Sequence, residues 1–221
     1  ATTISGNTIS NFSIATSSTG TGSGAPFCGI WLNAGGANIT NNTVGSMSGV
    51  DNILVRGTAT GGSATTANVI GIAQGAASNT PITVTGNNIG GLGFNGITAA
   101  FANSATVGAT VCGIFNQGFT TLTDPNGTRL ISGNTIGGAI AASMRSGAAI
   151  NAGVTSAANF SVVGIMNTGG TRITVSNNSI QNLQVPTRSS AGVVYGIQTS
   201  SGLNVITGNT IIALSSNAKN V

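Results

Sequence analysis

Residues able to do acid–base or metal chemistry are few. The 221-residue chain has two carboxylates, Asp51 and Asp124, with no Glu and no His. Glycoside hydrolysis needs a carboxylate pair, whereas these two lie in separate segments and Asp124-Pro-Asn-Gly is typical of a turn. A Ser-His-Asp triad cannot form without His, and metal ions need clusters of carboxylates, imidazoles or thiolates. We therefore expect no catalytic residue, no metal site, no cofactor and no enzymatic activity.

The cations are equally dispersed. The formal net charge of +4 arises from Arg56, Arg129, Arg145, Arg172, Arg188 and Lys219. Phosphate binding needs clustered cations that release counterions together, and no two of these lie within about ten residues of each other. No Gly-rich turn is followed by Lys-Ser or Lys-Thr ahead of a helix. The sequence therefore argues against nucleic acid as a partner.

The composition indicates that these residues are carried by a packed chain with few charged side chains. Charged residues make up 4% of the sequence and hydrophobic residues 40%, with a mean hydropathy of +0.34. Disordered chains usually combine low hydrophobicity with high net charge, so a folded core is expected. No apolar run of about 18 residues is present, so we expect no membrane insertion. The length fits a single domain spanning 1–221.

One nonapeptide recurs along the chain with the pattern [IV]-[ST]-[GN]-N-[TNS]-[IV]-x-x-apolar. Its copies begin at Ile4, Ile39, Val84, Ile131, Val175 and Ile206, and their central asparagines are Asn7, Asn42, Asn87, Asn134, Asn178 and Asn209. A second motif, apolar-Gly-Ile, alternates with it at Cys28-Gly-Ile30, Ile70-Gly-Ile72, Cys112-Gly-Ile114, Val163-Gly-Ile165 and Tyr195-Gly-Ile197. A fixed period of about 45 residues, with shorter units at both ends, indicates a repeat architecture.

The motifs favour strands and corners over helices. They are β-branched, Gly-interrupted and Asn-rich, which is poor for helix and good for strand and turn. Gly-Asn and Asn-Asn pairs suit sharp corners because both residues tolerate left-handed backbone angles. Stacked units would place the six central asparagines in a side-chain ladder that satisfies the corner backbone. A unit could make one coil of about 45 residues or two of about 22, and the lack of a motif shared by the halves favours one.

These motifs resemble the parallel β-helix repeats of pectate-lyase-like proteins over essentially the whole chain. They are most similar to very long repetitive secreted surface proteins of Bacteroidetes-type bacteria. The resemblance implies an all-β fold, a right-handed parallel β-helix (solenoid) of about five to six units of roughly 45 residues, and continuation into a longer solenoid. It specifies the fold better than the function, because one fold carries lyases, tailspikes, adhesins and stalks.

The two cysteines occupy the same position of the second motif. With Ile70 in the intervening coil, Cys28 and Cys112 would lie about 9–10 Å apart, whereas a disulfide needs Cα atoms within about 7 Å. We therefore predict free, buried thiols that act as small apolar residues.

The strand of the second motif offers a candidate contact surface. Strict alternation would point Cys28, Ile30 and Leu32 inward, and Gly29 and Trp31 outward. The outward column would read Trp31, Ala73, Phe115, Met166 and Gln198, and an exposed apolar column usually marks contact with a protein or ligand. A Ser/Thr/Gly-rich loop folded over the column, or exchange of the two faces, would instead make these residues structural. Phe94, Phe101, Phe119 and Phe160, in or near the insertions, could add to a binding face or anchor their loops.

Two functions follow as expectations. The first is a structural module of an extracellular or cell-surface fibre that packs against neighbouring solenoid segments or copies of itself. The alternative is an adhesin that binds a glycan or protein partner through the Trp31 column and the loops. Both place the chain outside the cell, secreted or at the cell surface.

Overall fold

The computed structural model describes residues 2–16, 25–57, 66–75, 81–96, 108–117, 129–147, 159–169, 172–186, 192–200 and 202–216. The regular elements in these ranges are strands. In chain order they are β1 Thr2–Ser5, β2 Thr8–Ile9, β3 Phe12–Thr16, β4 Phe27–Leu32, β5 Ala37–Thr40, β6 Thr43–Gly45, β7 Ile53–Gly57, β8 Thr66–Gln74, β9 Ile82–Thr85, β10 Asn88–Gly90, β11 Leu92–Gly96, β12 Gly108–Asn116, β13 Arg129–Ser132, β14 Thr135–Ile136, β15 Met144–Ser146, β16 Asn159–Asn167, β17 Ile173–Ser176, β18 Ser179–Val185, β19 Val193–Thr199, β20 Asn204–Thr207 and β21 Thr210–Ser216.

The strands form three sheets in which every pairing is parallel. The first sheet has the order β1-β5-β9-β13-β17-β20, and the third has the order β4-β8-β12-β16-β19. The second runs β2-β6-β10-β14-β18 and returns through β15-β11-β7-β3, with β21 also paired to β18. The protein is thus all-β with stacked parallel strands, an arrangement compatible with a parallel β-helix.

Successive nonapeptides pair directly with one another. Ile4 is the register partner of Ile39, Ile39 of Val84 and Val84 of Ile131. The same column continues through Val175 to Ile206. Each repeat therefore contributes one strand to the first sheet, and equivalent residues of the motif stack on one another.

The core lies between the three sheets and is built from such columns. One column comprises Ile9, Val44, Ile89, Ile136, Ile180 and Ile211. Its four inner members are fully buried, as are Ile39, Val84, Ile131 and Val175 of the neighbouring column. Burying an aliphatic side chain stabilises a fold by roughly 1.5–3 kcal/mol, so these columns supply the main driving force for stacking.

The corner between the first and second sheets follows the Gly-Asn and Asn-Asn pairs. The residue before each central asparagine has a positive φ: 68° at Gly6, 55° at Asn41, 65° at Gly86, 63° at Gly133, 54° at Asn177 and 62° at Gly208. Gly and Asn are the residues that adopt this conformation at low cost. The sharp corner predicted from the motif is therefore confirmed at all six copies.

Candidate contact surface and structural ladders

The Trp31 column lies on one face of the third sheet. Trp31 pairs in register with Ala73, Ala73 with Phe115 and Phe115 with Met166, and Gln198 completes the column. Strands β4, β8, β12, β16 and β19 hold these residues at a fixed spacing because all five pair in parallel register. The structure thus brings Trp31, Phe115 and Met166 onto one face.

The column is half-buried rather than open. Ala73 is fully buried, while Trp31, Phe115 and Met166 are partly exposed and pack against a cluster of Ile70, Ala73, Cys112 and Val163. The ring of Trp31 lies 2.7 Å from the point that a Cβ on Gly75 would occupy, so the indole rests on the glycine backbone of the next coil. This packing leaves only part of each aromatic ring for a partner.

Strict alternation along β4 is wrong at Cys28 and Gly29. A Cβ on Gly29 would lie 2.7 Å from Cγ1 of Val44, a fully buried core residue, so the glycine faces the core. Cys28 lies with Trp31 in the cluster on the other face. Gly29 and the buried Ile30 therefore both face the core, and the inward-outward pattern shifts by one residue. Such a shift requires a local break in the pleat, which glycine accommodates most readily.

Both cysteines are free thiols: Cys112 is buried within this cluster, as predicted, whereas Cys28 is only partly buried beside it. Ile70 separates them in the register. Their Sγ atoms lie 3.3 Å from the Ile30 carbonyl and 3.4 Å from the Ile114 carbonyl, respectively. Burial raises the pKa of Cys28 to about 12, and it raises the pKa of Cys112 still further above the ordinary value. The thiolate is the reactive form, so both side chains act as small apolar groups.

The six central asparagines form a hydrogen-bonded ladder at the first corner. Each Nδ2 donates to Oδ1 of the asparagine in the next repeat, at 2.9 Å for Asn7–Asn42, 3.0 Å for Asn42–Asn87 and 2.9 Å for Asn87–Asn134, Asn134–Asn178 and Asn178–Asn209. The same Oδ1 atoms accept from the preceding backbone N–H groups at 2.9–3.0 Å. A buried corner would otherwise leave these N–H groups unpaired, at a cost of about 1–3 kcal/mol each.

The side-chain amide of a ladder asparagine also donates to a backbone carbonyl of the preceding coil. Nδ2 of Asn134 donates to the Val84 carbonyl at 2.8 Å, and Nδ2 of Asn178 donates to the Ile131 carbonyl at 3.0 Å. Each of the four inner asparagines is therefore bonded to the coil before it and to the coil after it. The sequence signal for this arrangement is the asparagine that recurs in every nonapeptide.

A second polar column, which the sequence analysis did not identify, lies at the far end of the third sheet. Nδ2 of Asn116 donates to Oδ1 of Asn167 at 2.5 Å, and Nδ2 of Asn167 donates to Oδ1 of Asn204 at 2.9 Å. Gln74 also donates to Asn116. The available signal was an amide side chain two positions after Gly-Ile, at Gln74, Asn116 and Asn167, which recurs in only three of the five motifs.

Arg129 reaches this second column from β13. It is 3% exposed, and its Nη1 donates to Oδ1 of Asn116 at 2.7 Å. Desolvation lowers its pKa from the ordinary value. In the register of the first sheet Arg129 stands between Ile82 and Ile173, both fully buried. A side chain so enclosed is a structural member of the stack and offers little surface to a ligand.

Asp51 is engaged in an ion pair that spans two coils. Nε of Arg145 donates to Oδ1 of Asp51 at 2.8 Å, and Nη2 of Arg145 contacts Oδ2. Gly93 lies between the two residues and in contact with Asp51, since a Cβ added to Gly93 would collide with Asp51 Oδ1. Asp124 lies outside the described residues, as do Phe101, Phe119, Arg188 and Lys219. Phe94 and Phe160 are buried in the core with ring centroids 6.3 Å apart.

In the described part of the chain, no group of three or more His, Cys, Asp or Glu side chains is arranged to hold a metal ion. No helix in those segments has the length and apolarity needed to cross a membrane.

Large apolar side chains are exposed mainly in the first and last coils. They are Phe12, Val50, Tyr195, Leu203, Val205, Ile206, Ile211 and Ile212. Ile206 and Ile211 belong to core columns, whereas Val205 and Ile212 stand beside them in the registers of Thr174 and Gln181. Ile206 and Ile211 are exposed because the last coil of the given sequence has a neighbouring coil on one side only.

The chain matches no protein-family model, no curated protein and no solved structure. Its likeness to parallel β-helix repeats thus rests on the two motifs and on stacked parallel sheets that are compatible with that fold. The similarity to bacterial surface proteins rests on the two motifs alone.

Proposed function

We propose that this chain is a non-catalytic structural module of an extracellular or cell-surface fibre, built as a right-handed parallel β-helix of about five to six units of roughly 45 residues. Residues 1–221 act as a single segment of it. The observation that carries this proposal is the asparagine ladder, which continues through all six nonapeptides without a missing hydrogen bond. A ladder that repeats at every coil stabilises stacking itself, which is what a rod requires.

The distribution of charge supports the same function. The described residues contain one ion pair, Arg145–Asp51, and it links two coils of the stack. Arg129 is enclosed and bonded to Asn116. Among the described residues the charged groups with hydrogen-bond partners therefore strengthen the stack, which favours a structural role over substrate chemistry.

Electron microscopy of the native assembly that carries this chain tests the proposal. Long rods or laterally bundled solenoids are the expected result. Isolated short particles would contradict it. Trp31 is the only tryptophan, so its emission reports the state of the half-buried column in the same sample. A blue shift of the Trp31 emission on bundling would indicate that the column lies in the lateral contact between solenoids, because packing against another solenoid removes water from the indole.

The second candidate is an adhesin, favoured by the partial exposure of Trp31 and Phe115 on one face. Aromatic rings supply large contact area at interfaces and tend to dominate binding energy. Titration of glycans or candidate surface proteins against Trp31 emission would detect such binding. The contact assignment requires that Phe115→Ala weaken any binding, whereas Val205→Ala, on the first sheet, should not. Equal losses in the two variants would contradict it.

A further inference from the structure

The second sheet carries two inserts of equal length on either side of a coil that has none. Residues 46–52 separate β6 from β7 in the second coil, and residues 137–143 separate β14 from β15 in the fourth coil, seven residues in each case. In the third coil Gly91 alone separates β10 from β11. Both β7 and β15 pair with β11. We use the term strap for the two inserts together with Arg145, the second residue of β15.

The two inserts contact each other across the third coil. The backbone N–H of Ala139 donates to the Met47 carbonyl at 2.8 Å. Nε of Arg145 donates to Oδ1 of Asp51, also at 2.8 Å. Strands two coils apart are separated by two spacings of about 4.8 Å, roughly 9.6 Å in all, which is too far for a direct hydrogen bond. The inserts therefore lean over the third coil until they meet.

The strap lies so close to the third coil that side chains are excluded beneath it. A Cβ on Gly90 or on Gly91 would lie 2.8 or 2.9 Å from a backbone carbonyl oxygen of insert 46–52. A Cβ on Gly93 would collide with the carboxylate of Asp51. Glycine is the residue that permits such a close approach of two backbones. These three glycines are therefore the positions on which the strap rests.

The same glycines depend on the strap for support. Glycine loses more conformational freedom on folding than any other residue and has no side chain to pack within a sheet. The backbone N–H of Gly91 donates to Oγ of Ser143 at 3.2 Å, and the same hydroxyl accepts from the N–H of Gly138 at 2.6 Å. The strap thus supplies contacts and a hydrogen-bond acceptor to the part of the third coil that is poorest in side chains.

We propose that the strap holds β10 and β11 against local opening, so that they open only together with the coils on either side. In a solenoid each repeat contacts only its neighbours, and a local opening then breaks contacts with adjacent coils alone. The strap adds contacts between the second and fourth coils, and the Asp51–Arg145 ion pair closes it. The inference goes beyond the proposed fibre function, because it concerns the isolated chain and does not depend on an assembly.

Native-state hydrogen exchange, resolved by NMR, tests the strap. The exchange rate reports the free energy of the opening that exposes an amide, and the urea dependence of that free energy scales with the surface exposed. The reference amides are Val84 and Val111, in the first and third sheets of the same coil. In the unsubstituted chain, exchange at Gly91, Gly93 and Phe94 should show the same urea dependence as exchange at these references.

Arg145→Met removes the ion pair and keeps an unbranched side chain at this position. The charged groups of the pair are only 21% and 18% exposed, so its loss is not fully replaced by water. Without urea, exchange at the three glycine-strand amides should accelerate at least about tenfold. Their urea dependence should fall below that of the reference amides, because an opening confined to β10 and β11 exposes little surface.

Two further variants make the comparison specific. Arg56→Met is the matched control, since Arg56 is an exposed arginine on the neighbouring strand β7 and lies outside the strap. It should leave exchange at the same three amides unchanged. Asp51→Asn breaks the ion pair from its other side, and asparagine tolerates the φ of 51° at this position. It should reproduce the effect of Arg145→Met, and circular dichroism verifies that each variant is folded.

Three outcomes would overturn the inference. The first is exchange at Gly91, Gly93 and Phe94 that is independent of urea in the unsubstituted chain, since β11 would then open beneath an intact strap. The second is acceleration in Arg145→Met and Asp51→Asn with the urea dependence retained, because that pattern reports a general loss of stability. The third is an equal acceleration in Arg56→Met. All three are measured on the isolated chain and leave the electron-microscopy test of the fibre function unaffected.

Discussion

Asn134 shows how much a single side chain contributes to stacking. Its Oδ1 accepts from the backbone N–H and Nδ2 of Asn87 at 3.0 and 2.9 Å, and its Nδ2 donates to Asn178 and to the Val84 carbonyl. We expect Asn134→Ala to lower the free energy of unfolding by about 3 kcal/mol, because it leaves buried donors and acceptors unpaired. Urea unfolding followed by circular dichroism measures the loss.

The matched control for this change is Asn7→Ala. Asn7 is exposed, and its side chain donates to Ser5 and Asn42 but accepts nothing from the described residues. The loss there should be about 1 kcal/mol, since water can replace the missing partners. Equal losses at Asn7 and Asn134 would contradict the view that the inner ladder satisfies buried groups.

The two thiols give the protein a defined response to alkaline pH. Burial holds the pKa of Cys28 at about 12, above the ordinary value of 9.0, and also raises that of Cys112. The unfolded chain therefore loses these protons at a lower pH than the folded chain does. Their contribution to stability is fully present below pH 9 and declines as the pH rises from about 9 towards 12.

Replacing both thiols by valine tests this dependence. Val163 occupies the same column as Cys28 and Cys112, so valine fits the site. We expect Cys28→Val/Cys112→Val to reduce the fall in unfolding free energy between pH 9 and 12 relative to the unsubstituted chain. If the two proteins lose stability in parallel over that interval, the alkaline response belongs to other groups.

At the scale of the element, the glycine of the second motif determines how the third sheet meets the core. A Cβ on Gly113 would lie 2.6 Å from both the Gly164 carbonyl oxygen and Cγ2 of Ile136. Gly29, Gly71 and Gly164 meet equivalent obstacles, and Gly196 meets the side chain of Ile211 alone. Each glycine thus lies against a β-branched core residue, and in all but Gly196 the carbonyl of the next coil closes the remaining space.

We expect Gly113→Ala to destabilise the protein by roughly 2 kcal/mol, because overpacking a dense core forces the backbone and Ile136 apart. Gly49→Ala serves as the control, since its nearest neighbour would be Oγ of Ser46 at 3.2 Å and its φ is not positive. Thermal unfolding of the two variants gives the comparison. A loss at Gly113 no greater than that at Gly49 would show that the third sheet can shift to admit a methyl group.

The elements also show what period-two reasoning can and cannot predict. The nonapeptide predicted its strands and its corner because Gly and Asn there are needed for a positive φ, as at Gly133 and Asn177. In the second motif, period-two alternation gave the wrong face for Cys28, since glycine has no side chain whose type indicates which face it occupies. The break in alternation at Gly29 therefore leaves no signal in the sequence, and it places Cys28 on the same face as Trp31.

For the whole molecule, the recurring motifs predicted stacked parallel strands and the positions of the ladder asparagines. They did not predict the contacts made by residues that lie between the motifs. The column of Gln74, Asn116 and Asn167 recruits Arg129 from a different sheet, and the pairing of Asp51 with Arg145 joins residues 94 positions apart. Both depend on which coils become neighbours at a corner. One sequence alone does not contain that information until the register is known.

The direct pairing of successive nonapeptides has a consequence for size. Consecutive ladder asparagines are separated by 31, 35, 44, 45 or 47 residues, yet each separation advances the first sheet by one strand, about 4.8 Å. The length of the first sheet therefore depends on the number of repeats and not on the number of residues in each repeat. The six strands of the first sheet therefore span roughly 24 Å from the first strand to the last. This distance is proportional to the number of repeats and not to the number of amino acids.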